Sequence, residues 1–152
     1  SPTVIFDPAN AESDVASDKV ITLTFSEAIR KEDDSAVTNT NAQALITLKD
    51  TYANGANIAL GTVEINNSKT VLSITPAANF TSEQQVYVAI NDKVVEDDAD
   101  NAVDLQSATF TIADIDPPSI TFFPLDQATG VPINTIPTIS FMKTSGLMTR
   151  IV

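Results

Sequence analysis

The chain of 152 residues has no cysteine, no histidine and no tryptophan, and only four glycines. Each absence removes a chemistry. Without cysteine there are no disulfides, thiolate zinc sites or thiol nucleophiles, and without histidine there is no Ser-His-Asp arrangement and no imidazole proton transfer near neutral pH. The lack of cysteine leaves the compartment open, because exported proteins also do without it. With Tyr52 and Tyr87 as the only tyrosines and no tryptophan, sugar stacking lacks its usual platform. No apolar run approaches the roughly 20 residues that span a bilayer, so membrane insertion of this segment is not expected. Positive charge is also scarce, with 8 Lys and Arg against 20 Asp and Glu and a net charge of −12. An acidic surface repels phosphate backbones and anionic lipid, which removes nucleic acid as a partner. Divalent cations are the partners it favours; the other reading of the charge is solubility alone.

What is present is strand signal. Hydrophobic residues make up 43% of the chain and mean hydropathy is near zero, as in a folded soluble protein. In "VITLTF", Ile21, Leu23 and Phe25 share one face while Thr22 and Thr24 share the other, a period of two. In "ATFTI", Ala108, Phe110 and Ile112 oppose Thr109 and Thr111 in the same way. "TVIF", "ALITLKD", "IALGTVEI", "TVLSI" and "VYVAI" complete about seven short strands before residue 115, separated by Asn, Asp, Gly and Pro clusters. That spacing predicts an all-β sandwich of roughly 100 residues. "VYVAI" is apolar on both faces and reads as a central strand; either Val86, Val88 and Ile90 or Tyr87 and Ala89 turn inward. Short helical turns are expected at most in "SEAIRKEDDSAV".

The chain then begins again. Residues 2–25, "PTVIFDPANAESDVASDKVITLTF", align without a gap on residues 118–141, "PSITFFPLDQATGVPINTIPTISF". Pro2 meets Pro118, Phe6 meets Phe122, Pro8 meets Pro124, Val15 meets Val131 and Phe25 meets Phe141, an offset of 116 residues. A period that long fits a tandem domain array and is too long for a solenoid. Between the copies, "ADIDPPS" places two prolines after Asp114 and Asp116, a stiff connection. Charge divides at this point: residues 1–115 hold 18 acidic and 6 basic side chains, and residues 116–152 hold two of each.

These motifs resemble the bacterial Ig-like domains repeated in large surface proteins. The resemblance rests on the "DPAN" opening with "ITLTFSEAI", on "LSITPAANFTSEQQVYVAI", and on the acidic loop "VVEDDADNAVD" leading into "SATFTI". It covers 1–114 and restarts at 117. It implies an Ig-like β-sandwich over 1–115 and the truncated start of a second Ig-like repeat over 116–152. It further implies a segment of a multidomain cell-surface or secreted protein, whose partners are neighbouring Ig-like domains of the same chain. Where the family has Gly before Asn in the acidic loop, this chain has Asp100 before Asn101, and Asp also tolerates a left-handed backbone. The opening residues carry no charged-then-apolar leader, so an internal piece of a longer exported chain is expected. The tail 142–152, "MKTSGLMTRIV", departs from the first copy; an aberrant end such as a frame error is one reading, a natural divergent end the alternative.

The candidate site is the loop "EDDADNAVD", in which Asp97, Asp98, Asp100, Asn101 and Asp104, with Glu96, offer oxygen ligands suited to calcium. The alternative is a solvated acidic loop. A second candidate cation site would join Glu27 and the Glu32-Asp33-Asp34 run to Asp114 and Asp116 at the linker; an ordinary charged linker is the reading the sequence favours. Catalysis is not expected, because adjacent carboxylates in a strand-flanking loop point apart and no apolar pocket raises a pKa. The expected role is a structural spacer. An adhesive module contacting glycan or protein through end loops, such as "TYANGANIALG", is the alternative.

Overall fold

The computed structural model describes residues 1–143 and, as backbone, the strand at 148–151; the other tail residues, 144–147 and 152, lie outside the described residues. The chain divides into two compact units, Ser1–Asp114 and Ile115–Val152.

The first unit runs β1 (Val4–Asp7), β2 (Ile21–Phe25), β3 (Arg30–Lys31), a 3-10 turn (Ala42–Leu45), β4 (Ile46–Asp50), β5 (Leu60–Ile65), β6 (Val71–Pro76), β7 (Gln85–Ile90), β8 (Val95–Glu96) and β9 (Gln106–Thr111). All seven strands expected from the alternation pattern form. Two short ones, β3 and β8, join them as a separate pair. One sheet has the order β1-β2-β6-β5 and the other β4-β7-β9, every neighbour antiparallel. With the seven longer strands lettered in chain order, the sheets are ABED and CFG, the constant-type immunoglobulin arrangement.

The core is where the two alternating stripes meet. Ile21, Leu23 and Phe25 of β2 and Leu72 and Ile74 of β6 are buried on one sheet; Leu48, Val86, Val88, Ile90, Ala108, Phe110 and Ile112 are buried from the other. The ambiguous strand is thereby resolved: Val86, Val88 and Ile90 face inward, and Tyr87 lies half-buried on the outer face, since β7 is central between β4 and β9. Phe80 closes one end of the sandwich edge-on against Phe110, ring centroids 5.9 Å apart. Quadrupole geometry favours that contact beyond its area.

Helical turns do not form in "SEAIRKEDDSAV". Arg30 and Lys31 instead pair with Glu96 and Val95, so a cross-chain ladder overrides local helix preference. The helical turn forms at Ala42–Leu45, which takes the first two residues of "ALITLKD" out of the strand.

The second unit is an antiparallel sheet of β10 (Ser119–Phe123), β11 (Thr138–Met142) and β12 (Met148–Ile151). Its first hairpin repeats the β1–β2 pair residue for residue. Val4 faces Phe25 and Phe6 faces Leu23; at the same offset Ile120 faces Phe141 and Phe122 faces Ile139. The intervening loops share backbone conformation, with positive φ at Ala11 and Asp14 matched by Gln127 and Gly130. β12 takes beside β11 the place that β6 takes beside β2.

Phe110→Ala should destabilise the chain by about 3–5 kcal/mol, because it removes a wholly buried ring and the partner of Phe80. Urea unfolding followed by circular dichroism measures this as a lowered midpoint.

Candidate functional site

The acidic loop is built on β8, whose two residues pair with β3 and set Glu96 directly opposite Arg30. After Glu96 the chain makes a tight turn and returns through a bridge between Glu96 and Ala102. Asp97 holds the turn from inside. Its Oδ1 accepts hydrogen bonds from the N–H groups of Ala99 (2.8 Å) and Asn101 (3.0 Å), and its Oδ2 accepts from the Asn101 side-chain amide at 2.9 Å. This is the Asx-turn chemistry by which a short carboxylate organises the backbone after it. Asp100 adopts the left-handed conformation that glycine would adopt most easily, φ 60°, so the turn forms without the glycine.

Those bonds set the electrostatics. The N–H of Asn101, then its side-chain amide, then the N–H of Ala99 hold the Asp97 carboxyl down to about 2 against its burial. The Ser35 hydroxyl, the Lys31 ammonium and the Ser35 N–H likewise lower Asp33 to about 2.

Arg30 occupies the middle of the site. Its Nε donates to Glu96 Oε1 at 3.1 Å, and its Nη2 lies 2.8 Å from Asp34 Oδ1 and also against Asp100 Oδ1. Partial desolvation works against the charge on Arg30, but Asp34, Glu96 and Asp100 outweigh it and raise its pKa. Among the described residues, the three carboxylates that converge, with one oxygen from each within 4.8 Å of the others, are Asp34, Glu96 and Asp100.

The predicted ligand set is therefore distributed. Asp100 and Glu96 meet around the guanidinium, Asp97 and Asn101 bind each other within the turn, and Asp98 and Asp104 are exposed. Asp34, four residues after Arg30, joins the cluster through the same guanidinium. Sequence reasoning missed Arg30, whose partner Glu96 lies 66 residues away. The one local signal was a lone arginine beside an acidic run.

With this geometry in place, comparison with known proteins decides the family. No curated protein matches the chain, but the family model of the bacterial Ig-like domain matches residues 1–112. The chain belongs to that family. As a fold, this bacterial Ig-like domain with its following segment is similar to the crystal structure of the S-layer protein rSbsC, with a TM-score of 0.51 at 15% identity, covering 98% of this chain and 19% of that one. The N-terminal part of the bacterial S-layer protein SbsC matches equally, at TM-score 0.51 and 15% identity, with 98% of this chain and 32% of that one covered. The chain thus spans less than a third of either structure.

The second candidate stretch of this Ig-like domain, "TYANGANIALG", continues the β4 edge into a turn. Asp50 N–H bonds Ala56 O at 2.9 Å, and Gly55 N–H bonds Tyr52 O at 2.8 Å. A side chain at Gly55 would sit 1.6 Å from the Asp50 carbonyl oxygen, so only glycine fits there. Tyr52 is left 60% exposed at the tip.

Two outcomes follow for the acidic loop. Because Asp97 and Asp33 have folded-state pKa values depressed from 3.8 to about 2, the stability they contribute is complete above about pH 4 and is lost as pH falls from there toward 2. Acid titration should show Asp97→Ala melting lower than the parent at pH 7, with the gap closing toward pH 2. Second, Arg30 offsets part of the repulsion among the three carboxylates. Millimolar calcium should leave the parent's melting midpoint unchanged, whereas Arg30→Gln should melt lower and regain part of the loss on adding calcium.

Proposed function

We propose that this domain is a non-catalytic structural spacer in the array of a cell-surface or secreted bacterial protein, holding neighbouring domains apart under load. The observation that supports this reading most directly is the repeat: one hairpin, in one register and with one loop conformation, occurs twice at an offset of 116 residues. Membership of the bacterial Ig-like family and likeness in fold to S-layer proteins are consistent with it.

The way the first unit's ends are tied suits a load-bearing unit. Residues 11–15 run parallel to the end of β9. Ala11 N–H bonds Thr109 O (2.7 Å), Thr111 N–H bonds Glu12 O (2.9 Å), Val15 N–H bonds Thr111 O (3.1 Å) and Ala113 N–H bonds Val15 O (2.9 Å). Val15 and Ile112 form the parallel bridge between them. In a parallel pair the entering strand is pulled one way and the leaving strand the other, so these bonds are loaded together in shear. A set of bonds broken at once resists force better than a hairpin unzipped bond by bond. The buried Val15 and Ile112 side chains keep water from replacing them.

The adhesive reading is favoured by one observation, the exposed Tyr52 at a rigid turn tip. Two measurements separate them. In single-molecule pulling the domain should unfold in one step with a length gain on the order of 350 Å, from 3.3–3.6 Å per extended residue. Ala113→Pro, which removes the donor to Val15 O, should lower the unfolding force. Saturable binding on a glycan array that disappears in Tyr52→Ala would replace the spacer reading with the adhesive one.

A further inference from the structure

The connection from β4 to β5 carries a reactive bond that the fold itself fixes in place. Asn54-Gly55 is the chain's single Asn-Gly pair. Glycine matters there twice. Lacking a side chain, it leaves its own backbone nitrogen unhindered. It is also the residue the turn demands, since a Cβ at position 55 would lie 1.6 Å from the Asp50 carbonyl oxygen.

The side chain of Asn54 sets it apart from the other asparagines. Asn10, Asn39, Asn41, Asn66, Asn91 and Asn101 each commit their side-chain amide to hydrogen bonds. Asn54 is exposed, and among the described residues no group bonds its amide. Asn57, Asn67, Asn79 and Asn134 share that freedom among the described residues, but they precede Ile58, Ser68, Phe80 and Thr135, whose side chains shield the next nitrogen. The chain before Asn54 is strained as well. Thr51, β-branched, stands at φ 66°, and around it Tyr52 N–H bonds Asp50 O at 2.8 Å, a γ-turn of the unfavourable hand.

We propose that Asn54 is a site of spontaneous modification, at which the Gly55 backbone nitrogen closes on the Asn54 side chain and converts it to isoaspartate and aspartate. The Gly55 nitrogen loses its proton to solvent hydroxide and bonds to Asn54 Cγ, and the side-chain nitrogen leaves as ammonia. Water then opens the cyclic imide. Attack at Cγ gives aspartate; attack at the Asn54 backbone carbonyl breaks the original peptide bond and leaves the chain running through the side chain as isoaspartate. Water is the only co-reactant. The fold gates the first step, because Gly55 N–H donates to Tyr52 O at 2.8 Å and that bond must open before the nitrogen can swing to Cγ. Strain at Thr51 lowers the cost of that opening. Either product adds a negative charge beside the exposed Tyr52, and isoaspartate lengthens a backbone already packed against Asp50, so the Asp50 N–H bond to Ala56 O is lost.

Peptide mapping by mass spectrometry, after the whole chain is held at mildly alkaline pH, tests this. Asn54 should be the first asparagine converted, with isoaspartate present by methyltransferase labelling, and Asn54→Gln should remove the signal. In urea the conversion should run at least about tenfold faster, because the turn no longer holds the nitrogen. Hydrogen exchange at the Asp50 amide should quicken in the isoaspartyl form. Conversion of another asparagine ahead of Asn54, no conversion of folded chain while the urea sample reacts, equal rates in the two, or an Asp50 amide as protected after conversion as before would each overturn the proposal.

Discussion

A β-strand that alternates apolar and polar side chains has one face that water disfavours, and a sheet of such strands is stable only when a second face lies against it. Every other feature of this chain depends on that requirement. In the first unit the stripe of Ile21, Leu23 and Phe25 is met by Val86, Val88, Ile90 and Phe110, and the sandwich closes. In the second unit the β10–β11 hairpin repeats the same register.

Once the sandwich closes, its ends become fixed platforms, and charge is managed there. The loops bring carboxylates from distant parts of the chain together, which would be unfavourable if nothing neutralised them. Arg30 offsets part of that charge at one end by binding Glu96, Asp34 and Asp100 together. Asp97 is treated differently: its charge is taken up by backbone donors of the turn it organises. A strongly acidic domain can thus carry a buried carboxylate pair, Glu96 and Asp97, with each oxygen cluster partnered by the protein itself.

A short Pro-containing linker, a repeated hairpin and a parallel stitch between residues 11–15 and β9 belong to one design. The stitch fastens the entering strand to the leaving strand, where tension would arrive in the proposed spacer. These features require no cleft, nucleophile or proton donor of shifted pKa, which accords with a chain that lacks histidine and cysteine.

The sequence by itself determined the strands, the repeat and the family, because a period of two and the spacing of prolines are local properties that survive without any tertiary context. "ATFTI" and "VITLTF" announce both their structure and their buried face. "VYVAI" shows where that legibility ends: a strand apolar on both sides cannot say which side is in, and only its register, which sets Val86 and Val88 beside buried Phe110 and Ala108, decided it. The acidic loop was visible as a cluster, but its composition in space was not. Arg30 and Asp34 reach it through a two-residue ladder between β3 and β8, a pairing too short to leave a pattern and too distant in the chain to be read from spacing. Local alternation is written in neighbouring residues, whereas the company a charge keeps depends on which segments the closed sandwich brings to the same end.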